Sequence, residues 1–384
     1  MTDRINILFV SSYIDLGGGE TALLNLVDNL DPKHYLPHLL VRAEGQLAAA
    51  WRKRDWPVYI KSWRGASTYF VPMLWAQLPI SRTIGKLIRD QHINLVHSDY
   101  HTLPMALPAA ERAGIPALWW CWGWWFKPKV WQRAFFQRPA ATIALSKAIK
   151  EGFLGEPPFM PPDQVELIYS GVDTTRFQPG LDGSQVRVDG GVPMDAPLVA
   201  LIARFQDVKG HDVFQDMARQ VGRMIPEAHF VVAGENTQTT ADNAYKTRIL
   251  ETTANDPLLK SRLHYLGFRA DSERVITAAD VVVCSSHFES YGMVNIEAMA
   301  SGKPVVSTNK GGPSETVADG VTGYLVPPND AAGLALQVIA LLENAALRRR
   351  MGMAGRARVE QLFSVKSMAA QYSQVVERVL NGRK

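Results

Sequence analysis

Arg204 leaves the apolar run 198–203 directly, and Lys209 follows five positions on, just ahead of Gly210 and a helical pattern. Two cations at the carboxyl end of a strand, facing the amide end of a helix, can clamp a diphosphate. Further along, the β-rich run 281–285 opens into a loop that carries Glu289. Gly292 and Met293 then start a second helical pattern, with Glu297 one to two turns inside it. The unbonded amides of a helix start suit a phosphate. A carboxylate further in suits a pair of sugar hydroxyls, because an ionised acid accepts from two donors at once. Solvated loop charges are the common fate of any single Arg or Lys; the four residues together supply what a nucleoside diphosphate sugar needs.

The elements that must position these groups follow from the apolar rhythm. Strand candidates at 5–10, 36–41, 58–60, 95–97, 117–120, 142–145 and 165–169 alternate with helical patterns such as 20–30, 47–54, 80–89, 103–113 and 146–153. Such alternation predicts a parallel sheet with helices on both faces, and strands without polar alternation agree with burial on both sides. Residues 171–197 are rich in Gly, Pro, Asp and Ser, show no sustained period and read as a linker. The rhythm restarts at 198 and ends in the helical runs 331–344, 346–362 and 365–380. At 384 residues the chain is longer than a single core supports. The expectation is therefore an α/β chain of two domains, with ligands at the carboxyl ends of the strands in a cleft.

Composition sets the outer bounds. An apolar fraction of 47% and a charged fraction of 20% are ordinary for a soluble globular protein, and a net charge of +4 is too small to indicate nucleic acid. No run approaches the ~18 apolar residues of a membrane-spanning helix. The opening MTDRINILFVSS reads as a first strand rather than a signal peptide. Cys121 and Cys284 each sit in an apolar run, which suits buried thiols in a reducing compartment, so a cytoplasmic location is expected. No Asp-x-Asp occurs and no His/Cys cluster has zinc spacing, so neither a metal nor another cofactor is expected.

The loop after the first strand, SSYIDLGGGETA, admits two readings. Gly17, Gly19 and Ala22 fit the dinucleotide fingerprint, and Arg42 could receive a 2′-phosphate, which describes an NADP-dependent oxidoreductase. Against it, six residues separate the strand from the first glycine, and Glu20 would place a carboxylate beside a pyrophosphate.

Over nearly its whole length the chain resembles the retaining glycosyltransferases of family 4. The similarity runs through GGGETALLNL, IALSKAIKEGFL, VELIYSGVDTTRF, ARFQDVKG and FESYGMVNIEAMASGKPVV, and Glu289 and Glu297 match the family's Glu, seven residues, Glu signature. The resemblance implies a GT-B fold, two Rossmann-like domains facing each other across a cleft. It implies an acceptor-binding domain over 1–175, a donor-binding domain over 176–363, and a last helix, 364–384, that could return to the first domain. Arg204 and Lys209 would hold the diphosphate and stabilise the departing nucleotide, and Glu289 would contact the donor sugar. Backbone amides of Tyr291, Gly292, Met293 and Val294 would lie near sugar and phosphate. Glu297 would bind the ribose, and the backbone at Phe268 and Arg269 would meet the base. The first loop, with Gly18 and Gly19, would lie over the donor phosphates. The donor would be a UDP- or GDP-type sugar, transferred without a metal by front-face attack to a sugar, glycan or lipid-linked acceptor. A nucleotide-sugar epimerase or a binder on the same fold is the nearer rival. A glycosidase fails because Glu289 and Glu297 flank a helix start rather than face each other across a bond.

One position departs from the family. Its members commonly carry His-Gly after an Ile-Pro strand, where IPALWWCWGWW places Trp122 before Gly123. Asp99 and His101, in the loop after the strand at 95–97, are the nearby polar candidates. Residues 112–150 hold no acid, seven basic residues and six of the ten tryptophans. Tryptophan interleaved with cations suits an anionic membrane surface, which would make the protein peripheral on the inner face of the plasma membrane. The other reading puts Trp119 and Trp120 in a core strand and lets Trp122 and Trp125 line an acceptor mouth.

Overall fold

A computed structural model describes residues 4–63, 70–99, 101–121, 128–236 and 239–382, with 70–78 by backbone alone. The chain divides into two compact units, residues 1–171 with 365–384, and residues 172–364.

In the first unit the apolar runs form β1 (Ile5–Ser11), β2 (Tyr35–Val41), β3 (Val58–Ile60), β4 (Leu95–Ser98), β5 (Ala117–Cys121), β6 (Ala141–Ala144) and β7 (Val165–Leu167). They pair in parallel in the order β3-β2-β1-β4-β5-β6-β7. The second unit contains β8 (Leu198–Ile202), β9 (His229–Ala233), β10 (Leu263–Gly267), β11 (Val281–Cys284), β12 (Val305–Thr308) and β13 (Gly323–Val326). These too are parallel, in the order β10-β9-β8-β11-β12-β13. Each sheet reverses its order once, between β1 and β4 and between β8 and β11. At such a reversal the loops leaving two neighbouring strands diverge to opposite faces and open a crevice at their carboxyl ends.

The helix Val365–Asn381 packs into the core of the first unit. Tyr372 is fully buried there, stacked on Trp120 at 5.8 Å, with its hydroxyl 2.9 Å from His97 Nδ1. Burial pushes the His97 imidazole down to about 3, so it is neutral and Tyr372 meets no charge.

Two sequence expectations change. Residues 171–197 are no tether: Val172 onward belongs to the second unit and includes a helix, Ser184–Asp189. Its Arg187 donates to the carbonyls of Pro193, Ala196 and Ala278, and Val186 is fully buried. Such backbone-directed bonds leave no apolar period to read. The helix expected over 80–89 runs instead from Phe70 to Asp90, with Pro79 inside it.

Candidate active site

The second unit assembles its charged residues at the β8–β11 reversal. After β8 the chain makes a short 3₁₀ turn, Asp207–Lys209, and passes through Gly210 at φ +63° into the helix His211–Met224. A Cβ on Gly210 would lie 2.2 Å from the Ser285 carbonyl oxygen, so this loop needs glycine to approach the one after β11. The two loops are then stitched together. Ser285 Oγ donates to the Gly210 carbonyl at 2.8 Å, and the His287 amide donates to the Val208 carbonyl at 2.9 Å.

That stitching brings Lys209 onto Glu289, with Nζ 2.5 Å from Oε1. Glu289 is fixed from the other side as well. Its amide donates to the Lys310 carbonyl and its own carbonyl accepts from the Gly312 amide at 2.9 Å. Gly311, at φ +88°, would put a Cβ 2.0 Å from the Glu289 oxygen, so the glycine pair at 311–312 lets the loop after β12 lie against Glu289. Arg204 is exposed at the end of β8 and has no carboxylate partner among the described residues. Among the described residues it makes no ion pair, whereas Lys209 is paired with Glu289. His211 lies buried with its ring stacked on Phe205 at 4.4 Å, and burial lowers it to about 4, so it adds no cation.

The helix Met293–Ala300 starts from Gly292 at φ +84° without a side-chain cap. Its first amides, at Met293 and Val294, are therefore left for an incoming acceptor atom. Tyr291 points inward, 2% exposed and edge-on to Phe363, so its ring is not offered to a ligand. Glu297 lies on the same helix beside an ion pair that sequence reading missed, Arg176 to Glu273 at 2.8 Å. Burial pushes the Glu297 carboxyl up to about 7; Arg176 pulls it down and Glu273 raises it further. Arg176 and Glu273 lie far from Glu297 in the chain, and no local spacing announces them. At the end of β10, Phe268 is 76% exposed, while the Arg269 side chain is held by Asp271 at 2.7 Å and Asp189 at 2.6 Å.

In the first unit the β1–β4 reversal has its own crevice. Asp99, 8% exposed, accepts from the Ser12 amide at 3.3 Å and from the Thr102 amide at 2.8 Å, tying the loop after β1 to the loop after β4. Burial raises its carboxyl despite those bonds. A hollow of about 20 Å³, room for roughly one water, lies between Ser11, Gly19, Glu20, His97 and Asp99. Glu20 turns back onto the Gly17 amide at 3.0 Å. A Cβ on Gly18 or Gly19 would meet no protein atom within 4 Å, so this helix start stays open to a ligand. Arg42 Nε donates to the Ser12 carbonyl at 3.0 Å. His101 meets Tyr13 edge-on at 5.6 Å. Trp119 and Trp120 are fully buried in β5, whereas Trp122 and Trp125 lie outside the described residues.

Known proteins match both halves. The model for glycosyl transferases group 1 matches residues 184–358, and that for glycosyltransferase family 4 matches residues 16–176. The alpha-maltose-1-phosphate synthase of Mycolicibacterium smegmatis is 30% identical over 65% of this chain and 65% of its own length. The D-inositol 3-phosphate glycosyltransferase of Nocardia farcinica is 33% identical over 50% of this chain and 42% of its own length. The match thus spans about half to two thirds of these relatives. Among solved structures, a glycosyltransferase from Rickettsia africae superposes with a TM-score of 0.86 at 20% identity, covering 98% of this chain and 99% of its own. Anabaena Alr3699/HepE, in complex with UDP and glucose, superposes with a TM-score of 0.80 at 22% identity, covering 97% and 100%. At such identities these structures speak for the fold. The chain is a pair of glycosyltransferase domains with the GT-B fold.

Proposed function

We propose that the protein is a retaining glycosyltransferase that moves a sugar from a nucleoside diphosphate sugar to a hydroxyl acceptor without a metal. The observation that carries this reading is the meeting of Lys209 and Glu289 at the β8–β11 reversal, with Arg204 exposed and without an ion-pair partner among the described residues at the end of β8. Departure of a nucleoside diphosphate puts negative charge on its terminal phosphate. Arg204, Lys209 and the uncapped amides at Met293 and Val294 are fixed donors for that charge, and fixed donors stabilise a transition state without reorganising. Glu289 then faces the sugar and Glu297 the ribose, while the first domain, with Asp99 and His101 near its β1–β4 reversal, takes the acceptor. The UDP and glucose bound by Anabaena Alr3699/HepE make UDP-sugars the first donors to try and GDP-sugars the second.

The deciding experiment follows slow hydrolysis of UDP-glucose, UDP-galactose, ADP-glucose and GDP-mannose without acceptor, in the presence of EDTA. One donor is expected to be consumed with release of the α-anomer. Consumption of none, together with a melting temperature raised by NADP alone, overturns the reading in favour of an oxidoreductase. Interconversion of the sugar without its release marks an epimerase instead.

The acceptor side also carries a membrane contact. Val130 and Trp131 are 78% and 52% exposed at the start of the helix Val130–Phe136, between exposed Lys129 and Arg133. Exposed indole with cations on either side matches an anionic lipid surface, where each cation contributes on the order of 1 kcal/mol. Both cysteines are buried free thiols, in keeping with a cytoplasmic protein peripheral on the inner face of the plasma membrane. Vesicles of phosphatidylglycerol and phosphatidylcholine are expected to float the wild type. Trp131→Ser combined with Lys129→Glu should lower vesicle affinity at least about tenfold. Wild-type protein left at the bottom of the gradient sinks the idea.

A further inference from the structure

Glu289 is gripped by one oxygen only. Its Oε1 receives Lys209 Nζ at 2.5 Å and Ser286 Oγ at 2.8 Å, with the Cys284 thiol at 4.0 Å, the outer limit of a sulfur hydrogen bond. Among the described residues nothing donates to Oε2. Ser286 is itself over-determined: it is 2% exposed, and its carbonyl accepts from Thr308 Oγ1 at 2.6 Å. The buried Cys284 thiol lies 3.7 Å from the Ser286 hydroxyl. The Ser286 hydroxyl therefore has its proton directed at Glu289, and its backbone is clamped to β12.

We propose that Ser286 is a positioning residue for Glu289, holding Oε1 so that Oε2 alone is presented to a hydroxyl of the donor sugar. This rests on the reading of Glu289 as the sugar-facing carboxylate. The argument turns on the partner that the two share. Lys209 has three N–H donors on a flexible stem, and a bound diphosphate draws them toward the phosphate oxygens. With Lys209 so engaged, the short, buried Ser286 hydroxyl is the close grip on Oε1 that the ligand does not disturb, since the Cys284 thiol is a weak donor at 4.0 Å. A carboxylate held by one oxygen keeps one fixed acceptor direction, and holding it in advance removes the ordering cost at the moment of reaction. Ser286 should thus matter for a nucleotide that carries its sugar and not for the nucleoside diphosphate alone.

The test compares wild type, Ser286→Ala and Ser286→Cys in hydrolysis of the four donors above, with the matching nucleoside diphosphate as competitive inhibitor. For the donor that the wild type consumes, Ser286→Ala is expected to lower kcat about tenfold, with the inhibition constant of the nucleoside diphosphate changed less than twofold. Ser286→Cys, which keeps a weak donor, should fall between them. It provides the same ratio should the alanine variant fail to fold by melting temperature. Full turnover in Ser286→Ala overturns the inference, as does an equal loss in turnover and in nucleoside diphosphate affinity. A wild type that consumes no donor and is stabilised by NADP alone defeats the transferase reading, and the inference falls with it.

Discussion

Arg204→Ala is expected to slow donor turnover by on the order of 10²–10³-fold, the usual loss when one fixed donor to a developing negative charge is removed. Lys209→Ala should cost at least as much, by a different route. Arg204 carries no acid in the described structure, so its loss removes one cation and leaves its neighbours as they were. Lys209 is the ion-pair partner of Glu289, and both side chains are largely buried, 22% and 12% exposed. Removing it strands a carboxylate, which is more costly than losing the pair. The two variants therefore separate in a double-mutant cycle with Glu289→Ala. Lys209→Ala and Glu289→Ala should couple strongly in both kcat and melting temperature, the double variant melting above Lys209→Ala alone. Arg204→Ala and Glu289→Ala should be close to additive in melting temperature. Additive behaviour of Lys209 and Glu289 would mean that their contact is incidental to the site.

That coupling also marks how far the sequence could be read. Arg204, Lys209 and Glu289 each announce themselves locally, because each follows an apolar run that reads as a buried parallel strand. Their meeting depends on β8 and β11 being neighbours, and strand order is a property of the whole sheet. The repeated α/β rhythm suggests that order without stating it. Ser286 lies three residues before Glu289 in plain view, yet a serine beside a glutamate has no spacing that distinguishes it from a loop residue. Arg176 and Glu273 were out of reach altogether, since they meet Glu297 only through tertiary packing. The Gly- and Pro-rich stretch 171–197 misled in the other direction. Its order comes from Arg187 bonding backbone carbonyls and from Gly183 packing against Ala278, neither of which leaves an apolar period. The tryptophan cluster divided: Trp119 and Trp120 are core residues of β5, while Trp131 stands at the surface.

Donor binding is expected to weaken as pH falls through about 7, because Glu297 accepts from ribose hydroxyls only when ionised and burial holds its carboxyl at about 7. Below that value the dissociation constant should rise up to tenfold per pH unit. A nucleotide sugar is the proper probe, since its diphosphate is a diester and does not titrate in this window. Glu297→Gln should bind the donor more weakly at pH 8 and lose most of the pH dependence. Stability moves the opposite way. An unfolded glutamate gives up its proton near 4.5, and the folded Glu297 holds it to about 7. Between those values the folded chain carries a proton that the unfolded chain lacks, so stability falls as pH rises, and the loss is complete above 7. Its size is on the order of 3 kcal/mol. Glutamine keeps the shape and carries no charge to desolvate. Glu297→Gln is therefore expected to melt a few degrees above the wild type at pH 8, and level with it at pH 4.5, while binding donor less well. A variant that binds weakly and also melts lower at pH 8 would show that Glu297 is retained for stability. The opposite result identifies a carboxylate kept in an unfavourable place for the ligand it receives.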